Sequence, residues 1–244
     1  MPCWLMDVEG DRHFVTKRFD REGEKKLHMQ TLAALYPEAD SYERLLWICR
    51  KMRLSELDSE DVFRRMVFNV LANNTDDHNK NFSFLMDDQG RWRLSPAYDL
   101  TYIFNTGGFL PETRHCLMIR GKLDDITRDD AMELAAENGI RKAENIISEV
   151  GKAVLEFRVL AERNGVKEQW ISAVEATLIA NLSSWGLAHA KPDNNSFEIA
   201  GRRIENARIE QQYKGNYDLL ATIDGLVRKF VIRKKSVEHE EISS

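Results

Sequence analysis

The sequence predicts a mainly α fold of the α+β kind: a helical domain carrying one small β hairpin, followed by a short C-terminal β meander. Three observations predict it. The stretch "SEDVFRRMVFNVLANN" repeats Val62, Phe63, Met66, Val67, Val70 and Leu71 at helical spacing, an apolar arc wide enough for a deeply buried helix. "FSFLM" and "RWRLS" flank "DDQG", which reads as two strands around a turn rich in Asp and Gly. After "KPDNNS" the texture changes, and β-rich runs such as "YDLLATI" and "VRKFVI" alternate with Lys-Gly-Asn and Asp-Gly turn signals.

Taken in order, "CWLMDVEGDRHFVTKRF" reads as two short strands around a Gly turn, and "REGEKK" as a charged loop. "LHMQTLAALY" places Leu27, Leu32 and Leu35 on a helix closed by Pro37. "SYERLLWICRKMRL" is a second helix with Ser41 as its N-cap. Ser59 is positioned to cap the buried helix, and Asn73 and Asn74 suit its exit. Beyond the hairpin, "FNTGGFLPETRH" reads as a flexible loop and "CLMIRGK" as a short strand. From "ITRDDAMELAAENG" to about Leu187 come three or four amphipathic helices, punctuated by Gly139, Gly165 and Gly186. The last residues, "SVEHEEISS", read as a disordered tail.

Composition narrows the function classes. The 244 residues are 43% hydrophobic with a formal net charge of −5, so no broad basic footprint for direct nucleic-acid binding is expected. Cys3, Cys49 and Cys116 are few, odd in number and far apart; neither a disulfide framework nor a CxxC metal pair follows, and a reducing cytoplasm fits best. No apolar run reaches the ~18 residues of a membrane span. Acidic residues interrupt the first dozen positions where a signal peptide would be apolar.

The richest stretch is "VLANNTDDHNKNFSFLMDDQGRWRLSPAYDL", residues 70–100. Phosphoryl transfer from ATP needs a carboxylate facing the accepting hydroxyl, and oxygen ligands for Mg²⁺ arriving from more than one segment. Asp76-Asp77-His78-Asn79-Lys80-Asn81 supplies D-x-x-x-x-N, a hairpin follows, and Asp99 comes directly after it. Helix, loop, strand, turn, strand, Asp is the element order of a protein-kinase C-lobe, so a kinase-like helical lobe with a catalytic hairpin is expected. In that reading Asp76 orients the hydroxyl, while Asn81 and Asp99 hold magnesium. His78 would donate to the transferring phosphate or the ribose, and Lys80 is a candidate for phosphate charge.

Two other readings of these residues remain open at this point. A polar helix-to-hairpin connection would use its Asp and Asn to satisfy backbone donors. A metal-dependent hydrolase would ligate Mn or Fe through Asp76, Asp77 and His78. The remaining histidines, His13, His28, His115, His189 and His239, are scattered and read as surface or core residues.

The strings "HFVTKRFDREGEKKLHMQTLAAL", "SYE", "NNTDDHNKNFSFL", "LSPAYDLT" and "MIRGK" occur in that order. Together they resemble the HipA family, serine/threonine kinases of bacterial toxin–antitoxin modules, over residues 13–185. The resemblance implies Asp76 as the catalytic aspartate, His78 as a loop residue approaching the nucleotide, and Asn81 and Asp99 as magnesium ligands. "KRFDR" resembles the segment linking two lobes, which implies that backbone groups of Lys17 and Phe19 meet adenine and that Asp20 lies near the ribose. The alternative there is an edge strand leading into a loop, with Phe19 in the core. Gln30 matches a polar residue facing the active site. ATP and Mg²⁺ are the implied cofactors. A protein hydroxyl is the implied acceptor, with aminoacyl-tRNA synthetases among the family's targets, and a HipB-like antitoxin is the implied partner.

One departure bears on activity. Full-length members carry, ahead of the linking segment, a phosphate-covering loop and a strand lysine that pairs the α- and β-phosphates. Here about a dozen residues precede "FVTKRF", with no Gly-rich loop and no lysine among them. Residues 1–20 therefore read as hinge strands remaining from an N-lobe, 21–190 as the C-lobe, 196–236 as a small β-rich extension and 237–244 as the tail. A fragment, a split gene with a separate N-lobe subunit, and a decayed kinase all fit this pattern. The missing loop and lysine are together worth on the order of a thousandfold in rate, so weak activity is expected of the chain alone. A non-catalytic docking module derived from a kinase also fits. A small-molecule kinase of aminoglycoside-phosphotransferase type would share D-x-x-x-x-N and a later Asp, but the wording of "KRFDR" and "TDDHNKN" argues against it.

Overall fold

The chain opens on an antiparallel hairpin, β1 Cys3–Val8 with β2 Asp11–Thr16, turned at Gly10, whose φ of 93° no side-chain-bearing residue adopts easily. The computed structural model describes residues 2–104 and 112–188, together with the backbone of 197–199, 202–213, 216–223, 226–233 and 236–240. The chain divides into two compact units, Met1–His189 and Ala190–Ser244.

The first unit is built around α3, Glu56–Leu71, which buries Val62, Phe63, Met66, Val67 and Leu71 completely. Flanking it are α2 Tyr42–Lys51, α5 Ala143–Leu155 and α7 Glu168–Ser184. Leu45, Leu46, Ile48 and Cys49 of α2, Ile146, Ile147 and Val150 of α5, and Leu178 and Leu182 of α7 complete one continuous core. Two further helices, α4 Arg128–Glu137 and α6 Phe157–Arg163, bring the helices after residue 127 to four. Gly139, Gly165 and Gly186 follow α4, α6 and α7 with positive φ, as helix-terminating glycines do.

Capping sets where α3 begins, and it begins earlier than the sequence suggests. Ser55, not Ser59, is the N-cap: its hydroxyl accepts from the Asp58 amide and the Asp58 carboxylate accepts from the Ser55 amide. This reciprocal box adds about one turn. The other Asp58 oxygen accepts from the Leu94 amide at 3.0 Å, tying the hairpin to the start of the helix. Ser41 caps α2 as expected.

The hairpin is β6 Ser83–Met86 with β7 Trp92–Leu94. Its turn is closed by Asp87, whose carboxylate takes the amides of Gln89 and Arg91 and the Arg91 guanidinium. A third strand, β5 His28–Thr31, pairs antiparallel to β6 in the register Met29 to Leu85 and Thr31 to Ser83. This corrects the helix expected over "LHMQTLAALY". Ladder bonds to β6 outweigh a weak local helix signal, and only Leu32–Leu35 (α1) is helical, capped by Thr31. Between β2 and β5 a two-residue ladder, β3 Arg21–Glu22 with β4 Lys25–Lys26, turns the "REGEKK" loop.

No strand forms in "CLMIRGK"; single bridges, Ser41 to Met118 and Ile119 to Lys122, are all that remain. The physical reason is that carboxylates take the backbone donors a ladder would need. Asp77 takes the amides of Cys116 and Leu117, and Glu43 takes that of Arg120. The expected flexible loop falls largely on 105–111, outside the described residues.

In the second unit five strands run as an antiparallel meander in the order β12-β11-β10-β9-β8. They are β8 Phe197–Ile199, β9 Arg202–Tyr213, β10 Asn216–Ile223, β11 Leu226–Arg233 and β12 Ser236–Glu240. The β-rich texture is legible in the sequence. The last strand includes residues 237–240, which the sequence reads as tail, because they pair with β11 from Lys229 to Ile232. The Lys-Gly-Asn turn lies partly, and the Asp-Gly turn wholly, outside the described residues.

Candidate active site

Just past the end of α3 stands Asn73, a buried residue in the left-handed region at φ 55°. Asparagine tolerates that region because its short side chain hydrogen-bonds locally. Its amide nitrogen donates to the carbonyls of Ile103 and Glu112, both at 3.0 Å. From there the chain runs without regular secondary structure to His78, whose own backbone is extended. Thr75 and Asp77 are buried, while Asp76 between them is exposed. Two adjacent carboxylates are thereby given different environments.

Asp77 is the hub of the interior side. Its completely buried carboxylate accepts from the Tyr42 hydroxyl at 2.7 Å, His115 Nδ1 at 3.0 Å, and the amides of Cys116 at 2.8 Å and Leu117 at 3.4 Å. The network continues: Asn69 donates to the Tyr42 hydroxyl, and Asn74 donates to Asn69. Burial, then the nearby Asp77 charge, pushes the Tyr42 phenol well above its ordinary range. The same causes, with Asp76 added, raise the Cys116 thiol to about 11.

On the other side Asp76 faces outward, with His78 Nε2 at 3.7 Å and Cys116 Sγ at 3.9 Å. Asn79 clamps the loop by donating to the carbonyls of Pro37 and Ala39. Asn81, at the end of the 3₁₀ turn Asn79–Asn81, donates its amide nitrogen to the Asp76 carbonyl at 2.9 Å. That bond fixes the amide's orientation and leaves Oδ1 as a neutral oxygen donor.

Asp99 is delivered to the same region by its neighbour. The Tyr98 hydroxyl donates to the Lys80 carbonyl at 2.6 Å and meets the Ser83 hydroxyl at 2.5 Å. Asp99 thus sits one residue from an anchor that is itself one residue from Asn81. Its exposed carboxylate hangs on a backbone at φ 55°, an uncommon conformation for a residue with a side chain. Phe19 stacks obliquely on Tyr98, ring centroids 5.7 Å apart, so the segment before β3 reaches the same place.

The other sequence candidates are less open. The Lys17 amide is occupied, donating to the Pro2 carbonyl at 3.1 Å, whereas the Phe19 amide has no partner among the described residues. The Asp20 carboxylate is held by Arg18 at 2.8 and 2.6 Å and by Arg21 at 2.5 Å. The Arg18 hydrogen bond is the main cause that holds it down to about 2. A ribose hydroxyl would have to compete with those guanidinium groups. Gln30 lies on β5 opposite Phe84, half-buried. Lys80 is exposed, and its carbonyl is the Tyr98 anchor.

Asp77, with its four donors already in place, has no lone pair directed at the outer face. The hydrolase reading, which needs Asp76, Asp77 and His78 on one ion, loses its middle ligand. Among the described residues no group of three or more His, Cys, Asp or Glu is arranged to hold a metal. The Asn81 amide oxygen and the Asp99 carboxylate are each the kind of hard oxygen ligand that a cation keeping water and phosphate ligands takes. Two buried polar atoms on this loop, Thr75 Oγ1 and His78 Nδ1, lack partners, as at a site that completes its hydrogen bonds with a ligand.

Sequence reasoning misses three residues here: Asp77 as the interior anchor, Tyr98 as the strap, and His115, which reads as one of the scattered histidines. No local pattern marks any of the three, because each acts through partners distant in the chain.

Comparison with known proteins follows the same lines. Residues 1–157 match the family described as HipA-like C-terminal domain. Two curated Sinorhizobium fredii proteins are similar: one named "Putative kinase Y4dM", 33% identical over 90 residues, and one named "Putative kinase Y4mE", 30% identical over 111 residues. These matches cover 34% and 42% of this chain but 22% and 26% of those proteins. Among solved structures, the complex of HipA, HipB and operator DNA from the Shewanella oneidensis MR-1 toxin–antitoxin system contains a similar chain at a TM-score of 0.59 and 19% identity. That match covers 75% of this chain and 51% of the other, and at this identity it speaks for the fold.

Proposed function

The chain belongs to the HipA-like C-terminal domain family, and from that membership we propose that it is the catalytic-loop lobe of a HipA-type serine/threonine kinase. The observation that carries this reading is a pair of bonds: Asn81 to the Asp76 carbonyl closes the 76–81 loop on itself, and Tyr98, beside Asp99, to the Lys80 carbonyl ties the stretch after the hairpin to it. They support convergence of Asp76, Asn81 and Asp99 on one face, as transfer of a γ-phosphate requires.

In this reading Asp76 accepts a hydrogen bond from a protein hydroxyl and orients it for attack on the γ-phosphate of ATP. Asn81 Oδ1 and the Asp99 carboxylate hold magnesium, which when bound neutralises charge on the phosphates. His78, beside Asp76 and with an unpartnered Nδ1, donates to a phosphate oxygen. Phe19 offers its free amide toward adenine while packing on Tyr98, and Lys17 contributes through its carbonyl. Asp20 shapes the hinge through Arg18 and Arg21, and Gln30 and Lys80 lie toward the phosphates. Asp77 is a positioning residue that holds Asp76 outward.

Residues 1–20 act as the hinge, 21–190 as the lobe and 196–236 as an appended module. A phosphate-covering lobe on a separate subunit or segment, a HipB-like antitoxin and a toxin role complete the proposal. The test is γ-phosphate transfer from labelled ATP to a mixed protein acceptor. Slow, magnesium-dependent transfer that Asp76→Asn abolishes supports the reading. Robust transfer that survives Asp76→Asn overturns it. No magnesium-dependent transfer, with or without an added N-lobe, favours a docking module instead.

A further inference from the structure

His115, whose Nδ1 meets the Asp77 carboxylate, also lines a cavity of about 390 Å³. That volume suits a small molecule. Its walls come from the end of α3, the 113–127 segment and the last turns of α7. What distinguishes it is the sign of its hydrogen-bonding capacity.

The donors among its lining side chains are already engaged within the protein. Asn73 gives its amide nitrogen to Ile103 and Glu112, and Asn181 gives its own to Val70 and Leu71. Thr127 donates to Asp130, and Trp185 Nε1 donates to Ile126. What remains are acceptors. The amide bonds just named fix both asparagine orientations and leave Oδ1 of Asn73 and of Asn181 without a partner among the described residues. In the neutral imidazole the bond from His115 Nδ1 to the Asp77 carboxylate leaves a lone pair on Nε2, also without a partner there. Asp124 and Asp125 add two carboxylates with no ion pair or hydrogen bond among the described residues. Asn73 and His115 are both more than nine-tenths buried, so their acceptors are set deep in the cavity, in contrast to the exposed carboxylates of Asp124 and Asp125.

We propose that this cavity is a binding site for a small organic cation rich in hydrogen-bond donors, a primary amine or guanidinium compound. Its charge faces Asp124 and Asp125 at the rim, and its N–H groups meet Asn73 and His115 within. Such a ligand would rest one side chain away from Asp77. The proposal is independent of phosphoryl transfer, and so is its test.

Agmatine carries both head groups and serves as the probe. It is titrated into the full chain by isothermal calorimetry near physiological salt. The expected result is saturable binding at one site, weakened at least tenfold in the Asp124→Asn/Asp125→Asn double variant. Both positions are exposed, and asparagine tolerates the positive φ of Asp125, so the variant retains the fold. Asp129→Asn, a carboxylate outside the cavity, leaves the affinity unchanged. Absence of saturable binding up to about 10 mM, equal binding by the double variant, or an equal loss in Asp129→Asn would each overturn the assignment.

Discussion

Replacing Asp77 by alanine removes the acceptor for four donors at once: the Tyr42 hydroxyl, His115 Nδ1 and the amides of Cys116 and Leu117. The two side-chain donors have little access to water in the intact fold, because Tyr42 is fully buried and the His115 side chain is 5% exposed. Summing the net worth of four bonds to a charged group would give about 6–12 kcal/mol. That overshoots, since the loop relaxes and water enters the space left by the carboxylate. The appropriate comparison is the loss of one member of a buried charged pair, about 3–5 kcal/mol. Asp76→Ala, one residue away, removes a half-exposed carboxylate whose neighbours stand at 3.7 and 3.9 Å, and its effect should fall within about 0.5 kcal/mol. Urea unfolding followed by tryptophan fluorescence measures both. A shift of the Asp77→Ala midpoint equivalent to under about 1 kcal/mol, or equal shifts in the two variants, would refute the division of the adjacent aspartates into an inner and an outer role.

Three other outcomes follow from the same geometry. Ser55→Ala should lower stability by about 1 kcal/mol and Ser59→Ala by less than about 0.5, since Ser55 holds the cap; equivalent urea midpoints would contradict this. The Asp20 carboxyl is held down to about 2 by Arg18, so its contribution is complete above the usual Asp range near 4 and lost as pH falls through 2. The stability gap between the parent and Asp20→Asn should therefore be flat from pH 7 to 5 and close between pH 4 and 2. The Cys116 thiol at about 11 holds ~100-fold less thiolate at neutral pH than an ordinary cysteine. Time-resolved alkylation and peptide mapping should find exposed Cys3 modified first, Cys116 much later, and buried Cys49, pushed to about 12, only on unfolding.

The parts legible in the sequence are those fixed by short-range pattern. The apolar period of α3, the Asp-Gly turn of the hairpin and the glycines after α4, α6 and α7 each carry their own signal. What eludes sequence reading depends on partners distant in the chain. Residues 28–31 become a strand because Ser83–Met86 offers a ladder, and residues 116–120 fail to become one because Asp77 and Glu43 take their amides. The candidate site shows the same split. D-x-x-x-x-N and Asp99 stand out as residue types at a spacing. Asp77, Tyr98 and His115 act through burial and through contacts 15 to 40 residues away, which no local pattern announces. The abundance of asparagine around the loop also has a structural explanation: Asn69, Asn73, Asn74, Asn79 and Asn81 each donate to hold one part of it in place.

The most direct measurement is binding of Mn²⁺, standing in for magnesium, with a non-hydrolysable ATP analogue, followed by the loss of the free Mn²⁺ paramagnetic resonance signal. Convergence of Asn81 and Asp99 predicts that the parent chain binds the ion only when the nucleotide is present. Asn81→Ala and Asp99→Asn should each weaken that binding at least tenfold, with a urea midpoint unchanged in Asp99→Asn and shifted in Asn81→Ala by no more than one hydrogen bond is worth, about 1 kcal/mol. Nucleotide-dependent Mn²⁺ binding that survives both substitutions, or none in the parent chain, would contradict it.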